Sequence, residues 1–193
     1  MEERWTVWDK LIAHMRYLKV GRLIPRGGVL CDVGCGPDAR FLRTLLCSRL
    51  IARGYGFDRK VGKESEGDLI ISPLELGSDT FPLADESVDC VTMLAVLEHL
   101  SKPMAVLQEV FRILKPGGRV ILTTPSPCSK PLLEFLAFRL RMISDEEIKD
   151  HKHYFSETEI RQMLVDVGFT NIVYRRFQLG LNQLVSAVKP IAR

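Results

Sequence analysis

Three residues in LCDVGCGPDARFL, Leu30 to Leu42, could do binding chemistry together: Asp32, Gly34 and Gly36. With Ala39, the two glycines fit G-x-G-x-x-G/A, the spacing of a turn that holds an adenosine-bearing ligand. Asp58 follows at about the 20-residue distance from which a carboxylate takes ribose hydroxyls. A dinucleotide site uses such a turn to hold a pyrophosphate on free backbone N–H groups. Asp32 stands at the mouth of the same turn, where its charge repels a phosphate and favours a cation. The residue types therefore favour a ligand with an amino group and a sulfonium. A nicotinamide oxidoreductase is the competing reading.

These residues need a strand to carry Asp32, and the pattern around them supplies one. VLCDV reads as a short buried strand, and Pro37 and Asp38 open a helix, ARFLRTLLCSRL, that Gly54 closes. YGFD, LIIS and VDCVTMLA read as the next strands, the last nearly continuous in apolar residues, as a strand covered on both faces is. Ser101 and Pro103 start a helix that buries Val106, Leu107, Val110, Phe111 and Leu114; KPGG turns the chain into the strand RVILTTP. Strand alternating with helix predicts a parallel sheet with helices on both faces.

The end of the chain breaks that rhythm. Ser156 and Glu159 form a capping box for a helix running to Gly168. FTNIVYRRFQ and QLVSAVKPI then flank a loop around Gly180 and Asn182, which predicts an antiparallel hairpin. The expected fold is α/β: a Rossmann-like, doubly wound, mostly parallel sheet of seven strands ending in that hairpin. An amphipathic helix from about Glu3 to Leu23, with Trp5, Trp8, Ile12 and Met15 at helical steps, precedes it.

Composition narrows the class further. The 193 residues suit one domain, 46% are hydrophobic, and the net charge is only +3. Nothing there calls for nucleic acid, and no basic tail, RNA module or N/D-P-P-Y/F clamp is present. The five cysteines are scattered and odd in number, against a disulfide framework or a zinc site. MEERWTVWDK has no apolar signal region, and no run reaches a membrane span, so a cytoplasmic protein is expected.

In order along the chain, DVGCG, YGFD, FPLADESVDCV, LAVLEHL, LKPGGRVILTTP and a late GF resemble the motifs of the class I S-adenosylmethionine-dependent methyltransferases, in particular the type-11 group. The resemblance covers roughly residues 28–190. It implies one methyltransferase domain over 1–193, with 1–25 a helical extension and 126–150 a lid-like insertion. It implies S-adenosyl-L-methionine as cofactor. Asp32, Gly34 and Gly36 would line its methionine part and Asp58 would bind the ribose. Glu75 with Leu76 would contact adenine, with Asp79 the rival, and the Ala95 backbone would lie beside the amino-acid end. Asp38 stands where the family often has a third glycine.

Transfer of a methyl group from a sulfonium is an in-line displacement, so the fold must align the acceptor and exclude water. A base is needed only for some acceptors. The candidates are His99, His151, His153 and Tyr154. The bland alternatives are a Glu98–His99 structural pair and a solvated loop at DHKHYFSETE. Ala95 stands where some relatives place the first acid of a metal-holding loop, so no metal is assigned. The apolar stretch LLEFLAFRL suggests a small hydrophobic or lipid-linked acceptor. A non-catalytic cofactor-binding partner is the alternative function, and the oligomeric state is left open.

Overall fold

The computed structural model describes residues 7–131 and 152–191. Helix α1 (Val7–Gly21) leads into β1 (Val29–Val33), α2 (Arg40–Cys47) and β2 (Arg53–Asp58). Strands β3 (Glu64–Glu66), β4 (Leu69–Pro73) and β5 (Val88–Leu94) follow, then a short 3-10 turn (Leu97–His99) and α3 (Pro103–Ile113). Strand β6 (Leu114–Pro125) is followed by a second 3-10 turn, α4 (Glu157–Val167), and the hairpin β7 (Thr170–Phe177) and β8 (Asn182–Val188).

The sheet order is β3-β4-β2-β1-β5-β6-β8-β7. The five central strands are parallel, and β3, β8 and β7 run antiparallel to their neighbours. Mostly parallel strands with a closing hairpin are as expected. An eighth strand, β3, is added at the edge. Its residues, Glu-Ser-Glu, have little strand preference, and only pairing to β4 makes them a strand.

Both faces of the sheet are covered. On one face Val106, Leu107 and Val110 of α3 and Ile160 and Leu164 of α4 pack with Cys31, Val33, Val91 and Met93. On the other, Phe41, Leu42 and Leu45 of α2 pack with Leu30, Cys90 and Ile121, together with Val20 of α1. The chain crosses from one layer to the other between β1 and β5. Their carboxyl ends mark the topological switch point at which such sheets take a ligand.

Three local expectations need correction. Pro37 and Asp38 precede α2 rather than opening it, because Ala39 takes a left-handed conformation (φ 44°) and helical geometry begins at Arg40. Gly54 lies inside β2, paired with Leu30 and Leu69, and the helix has already ended at Cys47. KPGG does not separate helix from strand: β6 runs through it with a bulge, Val88 facing Leu114 and Cys90 facing Arg119.

The capping box is complete. Ser156 Oγ accepts the Glu159 N–H, and Glu159 accepts from the Ser156 N–H and hydroxyl. Those Ser156 hydrogen bonds, with a further one from His153, hold the Glu159 carboxyl down at about 2. Ser156→Ala is expected to cost about 1 kcal/mol, read as a fall of roughly 3 °C in a thermal melt. One buried side chain ties the end of the fold together. Gln183 Nε2 donates to the carbonyls of Pro125 (3.0 Å) and Phe155 (2.9 Å), and its Oε1 accepts the Tyr174 hydroxyl (2.8 Å). No helix among the described residues is long and apolar enough to cross a membrane.

Candidate active site

The crevice is built on the ends of β1, β2 and β5. Gly34 has φ 73°, and a Cβ placed there would lie 2.4 Å from Val96 Cγ2. The turn after β5 thus rests directly on the glycine loop, and no other residue fits between them. Gly36 has φ 71°, but a Cβ there would meet nothing within 4 Å. The loop is closed on one side and open on the other.

The loop's amides do not form an anion cradle, contrary to what the glycine spacing suggests. Gly34 N–H (2.7 Å) and Cys35 N–H (3.2 Å) both donate to the Phe57 carbonyl. Gly36 N–H donates to Asp58 Oδ2 at 3.0 Å. Three successive donors are therefore occupied by the end of β2, and a carboxylate stands where a pyrophosphate would need to approach. A phosphate-bearing dinucleotide does not fit. An adenosine cofactor without phosphate does, because Asp58, whose Oδ1 accepts the Lys60 N–H (2.9 Å), keeps lone pairs for a ribose diol.

Asp32 faces Thr92 across β1 and β5, and its Oδ1 accepts the Thr92 hydroxyl at 2.6 Å. It is almost fully buried. Burial pushes its carboxyl up to about 7 against the opposing Thr92 hydrogen bond, and the Asp58 charge adds to the rise. A buried carboxyl in that state gains strongly from a cationic ligand group.

Ala95 leaves β5 at φ 59°, with its N–H on the Thr123 carbonyl (2.9 Å). Strain of this kind in an alanine is costly and aims the backbone at the crevice. The residue after β4 is tied to β2, since Leu74 N–H donates to the Asp58 carbonyl (3.1 Å). Glu75 is exposed beyond it. Asp79 uses Oδ2 to accept the Glu75 N–H at 3.1 Å, and Leu76 forms an isolated bridge with Asp79. Of the two rivals, Glu75 has the carboxylate that this turn does not engage. The structure thus gathers Asp32, Gly34, Gly36, Asp58 and Ala95 at one crevice and sets Glu75 and Leu76 on the next strand exit.

The candidates for proton transfer separate. His153 Nε2 bonds Glu159 Oε1 at 2.9 Å, and its ring meets Phe155 edge-on at 4.5 Å, so it serves the start of α4. Tyr154 is half-buried with Lys130 Nζ 5.8 Å from its ring centroid. His99 closes the 3-10 turn after β5. His151 and most of the 126–150 insertion lie outside the described residues.

Glu98 makes no well-formed hydrogen bond to His99 of the kind the bland reading expects. Its side chain is buried, and its oxygens and the Thr123 and Thr124 hydroxyls at the end of β6 lack hydrogen bonds of good geometry. Burial pushes the Glu98 carboxyl above its usual range, opposed in turn by the neighbouring His99, its own backbone N–H, Arg16 and the Thr124 hydroxyl. Helix α1 supplies two residues that the sequence did not point to. Arg16 faces Glu98, and Tyr17 stacks on Phe41 at 4.7 Å within reach of the Asp32 charge. Periodicity gave α1 a face but not a partner, so only the tertiary structure could reveal these contacts.

A family profile described as a methyltransferase domain matches residues 6–173. The ubiquinone/menaquinone biosynthesis C-methyltransferase UbiE of Neisseria gonorrhoeae is 25% identical, over 95% of this chain and 81% of its own length. Among solved structures, a methyltransferase complexed with the Trm112 activator from Haloferax volcanii aligns with a TM-score of 0.71 at 20% identity, covering 93% of this chain and 91% of that one. An S-adenosylmethionine-dependent methyltransferase from Mesorhizobium loti aligns at 0.68 and 17%, covering 88% and 96%. At these identities the structural likenesses speak for the fold alone.

Proposed function

From the premise that this chain belongs to the methyltransferase-domain family and is an S-adenosylmethionine-dependent enzyme, we propose that it methylates a small apolar acceptor with a ring hydroxyl, of the quinol type. The observation that carries this reading is Glu98: a buried carboxyl whose oxygens make no well-formed hydrogen bond, with the Thr124 hydroxyl as a weak neighbour. It lies on the turn that begins at Ala95. Such a group is costly to leave unpaired, and an acceptor O–H would satisfy it. The resemblance to a quinone C-methyltransferase points the same way.

When bound, the cofactor supplies an electrophilic methyl group on a sulfonium centre. Asp32 holds the cationic end, Asp58 the ribose and Glu75 the adenine side. Glu98 takes the proton of the ring hydroxyl, which raises electron density on the ring carbon that attacks in line. Tyr17 of α1, stacked on Phe41, brings the helix within reach of the Asp32 end of the site.

The test is transfer of labelled methyl from the cofactor to a short-chain naphthoquinol, with a primary amine and an aminoalkyl phosphate in parallel. Label in the organic extract of the quinol reaction is expected. Glu98→Gln should cut turnover by about 100-fold and flatten its rise with pH, while cofactor affinity stays unchanged. Label in the amine alone would overturn the acceptor assignment. Asp58→Ala is expected to weaken cofactor binding by about 1.5–3 kcal/mol, or roughly 10- to 150-fold by calorimetry; unchanged affinity would remove Asp58 from the ribose site.

A further inference from the structure

Helix α1 has an apolar face turned the wrong way. Ala13 and Val20 are buried and Tyr17 packs on Phe41, yet Leu11, Met15 and Leu18 line the opposite, exposed side at helical spacing. Leu18 is 57% exposed. A helix that packs with one face on a core ordinarily turns polar residues outward. The tip of the β7–β8 hairpin adds a fourth side chain. Leu179 is fully exposed, in a left-handed conformation (φ 57°) that disfavours leucine. The two elements adjoin, because Gln178 Nε2 donates to the Ile12 carbonyl at 3.1 Å. The tip is also fixed to the exit of β6, where Ser126 bonds the carbonyls of Gly180 and Leu181. The tip and the first turns of α1 therefore lie toward the carboxyl edge of the sheet, and the helix runs from there to the amino edge, where Arg119 donates to the Leu23 carbonyl.

Charge is segregated around it. Residues 11–28 and 167–191 contain no aspartate or glutamate. His14, Lys19, Arg22 and Arg26 are exposed in the first stretch, and Arg175 and Arg176 in the second. Aliphatic side chains with Lys19 and Arg22 exposed on the same stretch, which carries no acid from residue 11 to 28, match an anionic lipid surface. The side chains exposed at this face among the described residues, Leu11, Met15, Leu18 and Leu179, are of the kind that a lipid surface takes up. A second copy would need roughly 800 Å² per partner, which four side chains do not offer.

The geometry points to a membrane-surface docking site: the outer face of α1 and the hairpin tip seat the enzyme on an anionic bilayer. Leu11, Met15, Leu18 and Leu179 enter the headgroup layer, and Lys19 and Arg22 hold the phosphates.

Vesicle cosedimentation tests this without any acceptor, so it stands or falls separately from the quinol assignment. The full chain is mixed at low salt with phosphatidylcholine vesicles, either pure or containing about 30% phosphatidylglycerol. Binding to the anionic vesicles at least about tenfold tighter than to the neutral ones is expected. The double variant L18E/L179E should lose about tenfold or more of that binding, with its melting temperature and cofactor affinity unchanged. No binding to anionic vesicles would overturn the proposal, and so would equal binding by the variant. Two other results would overturn it by naming another occupant: a dimer abolished by L18E/L179E, or binding to RNA in place of vesicles.

Discussion

Gly34→Ala is expected to destabilise the protein by about 3 kcal/mol and to abolish measurable cofactor binding. Two costs add. At φ 73° an L residue is held in the left-handed region, at about 1–2 kcal/mol. The new Cβ would also lie 2.4 Å from Val96 Cγ2. Val96 is buried, and its branched side chain has little rotameric freedom. It must move, and Ala95 with it, at a further cost of about 1–3 kcal/mol. A thermal melt should fall by roughly 6–12 °C for a chain of this size. Gly36→Ala provides the contrast. It carries the backbone strain alone, since nothing lies within 4 Å of its Cβ, so most of the stability survives while affinity falls. Equal behaviour of the two variants would refute the two-sided description of the loop.

Asp32→Asn is expected to do the opposite to stability. The folded-state carboxyl titrates at about 7 and the unfolded one at 3.8. Below 3.8 both states are protonated and the group contributes nothing. As pH rises past 3.8 the unfolded chain loses its proton first, so folding is progressively disfavoured until the folded carboxyl also ionises near 7. At pH 8 the accumulated penalty is about 4 kcal/mol. Asparagine keeps an acceptor for the Thr92 hydroxyl and carries no such penalty. The ligand-free variant should therefore match the wild type in denaturant titrations near pH 4 and exceed it at pH 8. The same change should weaken the cationic cofactor by at least about tenfold. Wild-type affinity should itself rise with pH through about 7, because the cation draws Asp32 into its ionised form. A stability difference that does not vary with pH would place the Asp32 proton elsewhere.

The central strands were legible because burial on both faces leaves its mark as continuous apolar runs, VLCDV and VDCVTMLA. The hairpin was legible because a short loop between two strands admits one pairing sense. Strand β3 was not, since an edge strand of Glu-Ser-Glu is created by its neighbour rather than by its own residues. The glycine spacing located the crevice but misled about its donors. Whether Gly34 and Cys35 offer their N–H groups outward depends on where the Phe57 carbonyl lies, which is a tertiary fact. Asp58 was found by spacing and is seated against the loop. Glu98 was read as half of a local pair with His99, because its enclosure and its approach to Arg16 and Thr124 are set by tertiary packing.

The Gln183 amide holds the carbonyls of Pro125 and Phe155 on one nitrogen. The two ends of the intervening segment are thereby pinned to the same buried point, whatever lies between them. Further ties hold both ends of the segment: Ser126 bonds the Gly180 and Leu181 carbonyls, and the Lys152 N–H donates to the Glu98 carbonyl (2.8 Å). Doubling such a loop costs only about 0.6 kcal/mol in closure entropy. Grafting a relative's version between Ser129 and Lys152, inside those ties, is therefore the economical way to test whether this stretch sets the acceptor.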